Sequence, residues 1–162
     1  MLKGTRIFNS RFVDETKNKG TDKELQKSRL VVQAYNDDEK HVILTQSPTI
    51  QRISQRIVLS IAAMTIETTG LYLRDISQAY VQSTTLLNRD FYINPPRELA
   101  RELNLKESSV LKVLRPLYGV LESGNHWFKT YYSHYVRELK MEQSTYDPCL
   151  LYSNQPFGIV GL

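Results

Sequence analysis

The chain has 162 residues, 41% of them hydrophobic and 10% aromatic, enough for one domain with a buried core. Its 21 Lys and Arg against 17 Asp and Glu give a net charge of +4, too balanced for a basic arm and compatible with a phosphate-bearing partner without requiring one. A single cysteine, Cys149, excludes an internally disulfide-stapled scaffold; residues 57–66, the richest apolar stretch, are interrupted by Ser60 and Thr65, and the first residues, Met1-Leu2-Lys3-Gly4-Thr5-Arg6, lack the apolar core of a signal peptide.

Residues 5–15 alternate loosely around Ile7, Phe8, Phe12 and Val13 and predict a strand. The turn-prone Lys17-Asn18-Lys19-Gly20-Thr21-Asp22 leads to a second strand over residues 28–35, making a long hairpin with Lys17, Lys19 and Lys23 at its tip. Asp37-Asp38 then reads as a solvated polar turn. Ser47 as N-cap and Pro48 at the first helical position open a helix. Its Ile50, Ile53, Ile57, Ile61 and Met64 recur at three- and four-residue spacing as a core-facing stripe, Leu59 lies opposite, and Gly70 ends it. Leu71-Tyr72-Leu73-Arg74-Asp75-Ile76 predicts a short, largely buried strand that delivers a carboxylate near its end.

Further elements follow in quick succession. A short helix is expected within residues 77–87, a strand at Phe91-Tyr92-Ile93 closed by Pro95-Pro96, a short helix over residues 97–103, and a strand over 110–114 broken by Pro116. A longer helix covers residues 125–141, with Phe128, Tyr131, Tyr135 and Leu139 on one face and Lys129, Ser133, Arg137 and Lys140 on the other. Leu150-Leu151-Tyr152 and residues 157–162 form a last hairpin around Ser153-Asn154-Gln155-Pro156. Its apolar end, Ile159-Val160-Gly161-Leu162, reads either as a short edge strand or as part of a longer chain.

Several chemistries find no support. His41, His126 and His134 have no metal-ligand spacing, no glycine-rich phosphate loop occurs, and Cys149 has no nucleophile signature around it. Asp75 and Tyr80 remain. Read by themselves, an Asp at a strand-to-helix junction is ordinarily an N-cap and such a tyrosine is ordinarily core.

A series of short motifs then falls in order: Lys27-Ser28-Arg29-Leu30-Val31-Val32-Gln33-Ala34, Ser47-Pro48-Thr49, and Leu73-Arg74-Asp75-Ile76-Ser77-Gln78-Ala79-Tyr80 with Val81-Gln82-Ser83. After these come Phe91-Tyr92-Ile93-Asn94-Pro95-Pro96, Leu117-Tyr118-Gly119 with Trp127-Phe128, and Tyr146-Asp147-Pro148-Cys149-Leu150. In this order and spacing, from about residue 5 to the last, the chain resembles the reverse transcriptase domain of copia-type LTR retrotransposons.

The resemblance implies an α+β fold: a partial right-hand polymerase with β-hairpin fingers (about residues 5–45) and an incomplete palm (46–162), an antiparallel sheet packed on helices. It implies an RNA-directed DNA polymerase, in which a primer 3′-hydroxyl attacks a deoxynucleoside triphosphate held by two Mg²⁺ ions. Asp75 then corresponds to the first metal-binding, catalytic aspartate. Lys27, Arg29, Ile76, Tyr80 and Glu122 correspond to nucleotide-binding positions, with the Arg29 fork suited to phosphate oxygens and the Tyr80 ring excluding a 2′-hydroxyl. The partners implied are an RNA or DNA primer–template and dNTP, with no membrane; the implied location is intracellular, in cytoplasm or nucleus.

Departures from the family pattern are equally specific. Glu122, Gly124 and Asn125 stand where Gln, Pro and Arg are usual, and a carboxylate beside a triphosphate is electrostatically adverse. The Asp-Asp pair that completes the metal site in the family would follow the strand ending at Leu162 and does not occur there. The expectation is therefore a region truncated before that pair, inactive as an isolated chain and poorly soluble through an unpaired sheet edge. Two other readings stand beside it: a non-catalytic nucleic-acid-binding relic of the same fold, using the Lys129, Ser133, Arg137 and Lys140 face, and an unrelated α+β interaction module.

Overall fold

In the computed structural model, which describes residues 6–68 and 70–162, the first two apolar runs pair as an antiparallel hairpin, β1 (Ile7–Lys17) and β2 (Leu25–Val32). Its turn uses Gly20 at φ +79, and Thr21 Oγ1 donates to the Asn18 carbonyl at 2.8 Å. The register sets Glu15 opposite Lys27 and Val13 opposite Arg29. Lys27 and Arg29 are two residues apart, so the pleat puts both on one face of β2.

β1 also pairs in parallel with β3 (Tyr92–Asn94), which pairs antiparallel with β4 (Leu111–Lys112), giving the order β2-β1-β3-β4. The sheet is therefore mixed where an antiparallel one was expected. The chain between β1 and β3 carries α1 (Arg52–Met64), and it returns along the same direction before pairing, as a parallel neighbour requires. Phe8, Val32, Ala34, Phe91, Ile93, Val113 and Val120 form the core, with Phe8 and Phe91 stacked at 4.5 Å. This is an α+β arrangement of a small curled sheet with few helices.

The remaining elements are α2 (Arg97–Glu102), α3 (Ser123–Ser133) prolonged by a π turn at His134–Glu138, and a second sheet. That sheet is antiparallel, β5 (Glu142–Gln143), β6 (Leu150–Asn154) and β7 (Phe157–Gly161) in sequential order, over the buried Met141, Cys149 and Leu151. The strand pair β6–β7 and the turn between them are as the sequence predicts; β5 is an addition.

Two further expectations are corrected. Ser47 and Pro48 do not open α1: the helix begins at Arg52, and the acceptor at its start comes from far along the chain. Asp147 takes the Gln51 N–H at 2.9 Å and the Cys149 N–H at 2.9 Å, and Ser54 hydrogen-bonds the same carboxylate. The helix is thereby seated on its Ser54 side, so Ile53, Ile57 and Met64 of the apolar stripe, and Leu59 opposite it, are exposed. Residues 71–76 are not a buried strand either. They have no regular structure and Leu73 is fully exposed, because no strand among the described residues lies beside them to complete a ladder.

Candidate functional site

The wall of β2 that carries Lys27 and Arg29 faces the segment 117–118 across a cleft of about 140 Å³, also lined by Gln78 and Val81. The two sides touch at one end. Val32 N–H donates to the Tyr118 carbonyl at 2.7 Å, and Val31 and Tyr118 form a parallel bridge. This seam needs Gly119, which has φ +87 and lies so close that a Cβ would overlap the Val32 carbonyl oxygen. The Arg29 guanidinium lies over the Tyr118 ring at 6.0 Å, and the Tyr80 ring is tilted against that same ring at 5.1 Å between centroids. Four positions singled out in the sequence, Lys27, Arg29, Tyr80 and the Leu117-Tyr118-Gly119 motif, thus meet here.

Arg29 is not idle. Its Nη1 donates to Glu15 Oε2 at 2.9 Å. That bond chiefly, with the positive charges of Arg29, Lys17 and Lys27, lowers the Glu15 carboxyl from its ordinary value. The cationic wall is therefore balanced by one carboxylate, on an exposed strand where the pair is weak enough to exchange.

Asp75 and Ile76 lie on the irregular segment just before the cleft, Asp75 exposed and Ile76 half-buried. Asp75 does not cap the 3-10 turn Ala79–Gln82 that follows; the residue at that cap is Gln78, at φ +54 with no side-chain capping bond. Among the described residues no three His, Cys, Asp or Glu are grouped so that they hold a metal ion. A two-ion site needs clustered carboxylates, and Asp75 stands without them, so the residues present do not fit the Mg²⁺ pair that the resemblance implies.

Glu122, expected among the nucleotide-binding positions, is engaged within the protein. It is 5% exposed and both of its oxygens are taken by Arg89, from Nε at 2.8 Å and Nη2 at 3.0 Å. Arg89 also reaches Asp37 at 2.6 Å and Glu39 at 2.8 Å, and lies 5.0 Å over the Phe91 ring. Burial opposes the charges of this cluster, but the bonds to Glu122, Asp37 and Glu39 outweigh it, so Arg89 is held more firmly protonated than usual. Burial likewise works against ionised Asp37, and the Arg89 bond outweighs it and lowers its pKa. Asp37, read as a solvated turn residue, is 2% exposed and pairs with Arg89, 52 positions further along, besides accepting the Glu39 N–H. The sequence signal for this cluster was the acid at Glu122 itself, set in an apolar segment where it needs a cation.

A larger cavity of about 530 Å³ lies between the hairpin and α2, with Arg11 and Arg97 offset by Asp14 and Glu98. Its mixed lining selects no ligand charge. No helix among the described residues is long and apolar enough to cross a membrane.

The family model of reverse transcriptase (RNA-dependent DNA polymerase) matches residues 2–158. The truncated transposon Ty1-A Gag-Pol polyprotein of Saccharomyces cerevisiae (strain ATCC 204508 / S288c) is 26% identical over 153 residues, covering 93% of this chain and 12% of that protein. The transposon Ty1-DR5 and Ty1-LR2 Gag-Pol polyproteins of the same organism are 26% identical over 152 residues, covering 93% of this chain and 8% of theirs. The chain therefore spans about a tenth of the length of the curated relatives it matches. No solved structure matches it. With the motif order, the hairpin facing Tyr118 and these similarities in agreement, the chain belongs to the reverse transcriptase family of copia-type retrotransposons.

Proposed function

We propose that this chain forms the triphosphate-facing part of an RNA-directed DNA polymerase domain, with the hairpin as fingers and the remainder as fingers and palm. The observation that carries the proposal is the cleft in which Lys27 and Arg29 converge beside the Tyr80–Tyr118 ring pair. Its volume is below the ~300 Å³ typical of pockets for whole small molecules, so it suits the phosphate chain, with sugar and base outside it. Arg29 would exchange Glu15 for phosphate oxygens, Tyr80 would pack near the sugar, and Ile76 would border it. Asp75 would serve as one ligand to Mg²⁺ only beside further carboxylates that these residues do not bring to it. Glu122 is left to Arg89.

The binding test is calorimetric titration of the 162-residue chain with dTTP in EDTA, so that no metal takes part. Saturable binding that R29Q weakens is expected; no binding, or equal binding by R29Q, would refute the cleft assignment. Primer extension with Mg²⁺ on the same chain is expected to give no product. Extension above a no-protein control would overturn that.

A second reading, sequence-independent binding of nucleic acid without catalysis, is favoured by Lys129, Arg137 and Lys140. All three are exposed and in no ion pair among the described residues, as are Lys17, Lys19 and Lys23 at the hairpin tip. Binding of single-stranded DNA should then weaken steeply with salt. An affinity unchanged between 50 and 200 mM salt, the range over which the phosphate term falls by roughly a few hundredfold for six single-strand contacts, would remove this reading.

A further inference from the structure

We infer that Arg89 is a positioning residue for the triphosphate cleft, acting by holding the Glu122 carboxylate. The inference rests on the cleft reading above and adds to it a residue outside the cleft.

The connection is structural. Asp37 and Glu39 follow β2, one wall of the cleft, and Glu122 follows Tyr118, the other wall. Arg89 binds all three, so it ties the chain leaving one wall to the chain leaving the other. Between Tyr118 and Glu122 there is no slack. Val120 N–H and Ser123 Oγ both donate to the Leu117 carbonyl, at 3.2 and 2.7 Å, folding the segment into one tight turn that ends beside Glu122. A shift at Glu122 is therefore transmitted to Leu117 and Tyr118, which line the cleft.

Electrostatics point the same way. A free carboxylate one turn from a bound triphosphate lies within a Debye length of it and is repulsive. Arg89 answers that charge with a bidentate bond, the geometry that fixes a carboxylate in orientation as well as in charge. The acid that is adverse in the sequence is thus silenced by a partner 33 positions away. Without Arg89, Glu122 is a buried, unpaired anion that must shift to reach water, and any such shift pulls on the Leu117–Tyr118 wall through the tight turn.

The test is the dTTP titration in EDTA, with folding followed by circular dichroism. R89Q is expected to weaken binding by about tenfold or more, the scale set by unscreened charge at this range. The double variant R89Q/E122Q should regain much of the lost affinity, because the charge beside the cleft wall is gone although Asp37 still lacks its partner. A merely structural Arg89 predicts that affinity follows folding alone, so that R89Q binds as wild type wherever circular dichroism shows it folded. Should R89Q fail to fold, R89K keeps the charge and loses the fork, and its weaker binding should likewise be restored in R89K/E122Q. Wild-type affinity in folded R89Q, or no gain from E122Q in either background, would overturn the inference while leaving Arg29-dependent binding, and so the cleft, intact. Absence of wild-type binding, or indifference to R29Q, would remove the cleft and this inference together.

Discussion

Replacing Gly119 by Ala tests the seam on which the cleft depends, and Gly20 supplies an internal control. Both glycines have positive φ, +87 and +79, so Ala at either incurs left-handed strain of about 1–2 kcal/mol. Their surroundings differ. A Cβ on Gly20 meets open space, whereas one on Gly119 overlaps the Val32 carbonyl oxygen and comes within 3.0 Å of the Val32 nitrogen. To relieve that overlap the segment must move off β2, breaking the 2.7 Å bond from Val32 N–H to the Tyr118 carbonyl and leaving a donor in the core unpaired, for about 1–3 kcal/mol more. G119A should therefore lose roughly 2–5 kcal/mol, a large part of a small domain's 5–15 kcal/mol, and G20A only about 1–2. In thermal terms, at about 2–4 °C per kcal/mol for a chain of this size, G119A falls by roughly ten degrees. Urea melts followed by the fluorescence of Trp127, the one tryptophan, read this directly, with equal m-values confirming a common unfolded state. Equal losses in G119A and G20A would show that the close approach at Val32 contributes nothing, and the seam would have to be abandoned as the fixed end of the cleft.

Three further outcomes follow from other contacts. D147A should destabilise by about 2–4 kcal/mol and reduce helical signal from α1, because two N–H donors, of Gln51 and Cys149, lose their acceptor; a urea midpoint within error of wild type would contradict this. Acid should destabilise the fold in two stages. His126, which burial lowers from 6.5, and Asp37 and Asp147, where burial is outweighed by hydrogen bonds that lower them from 3.8, all bind fewer protons folded than unfolded, so stability is complete above the unfolded values and is lost as pH falls, first below about 6.5 and then below about 4. Urea midpoints that do not change between pH 7 and pH 4 would refute it. E15Q should tighten dTTP binding, by less than about fivefold, because it frees Arg29 at an exposed pair; weaker binding would mean that Glu15 orients Arg29 and does not compete for it.

What was legible in the sequence is what local pattern determines. The hairpin, β3, α2, α3 and the final hairpin each follow from turn residues and periodicity within their own segments, and the structure forms all of them. The start of α1 was not legible, since Ser47-Pro48 is a good local opening but the acceptor that wins is Asp147, 96 positions from the Gln51 N–H it receives. The strand expected at residues 71–76 had the composition of one and lacked what composition cannot supply, a neighbouring ladder. Asp37 was misread for a related reason. A polar Asp-Asp turn looks solvated until a guanidinium from a distant turn is brought onto it, and Leu86-Leu87-Asn88-Arg89-Asp90 gives no local sign that Arg89 is that group. The cleft was legible in its residues and not in its closure, which depends on the meeting of Val32 with Tyr118.

These differences separate the two halves of a polymerase site by what each demands of its backbone. A phosphate wall needs cations at a spacing of two on one pleated face and a second surface held at fixed distance; on the proposed function the hairpin would provide the first and the Gly119 seam the second, both from elements completed by their own hydrogen bonds. A two-ion centre needs like charges crowded together, an arrangement that costs free energy unless rigid structure enforces it before the metal arrives. Asp75 lies on backbone with no ladder to hold it, and among the described residues no carboxylates are crowded onto it. On the proposed function, triphosphate binding is therefore separable from nucleotidyl transfer. A titration in EDTA measures the first with the second silent, and Arg29 and Arg89 are the two side chains whose substitution reports on it.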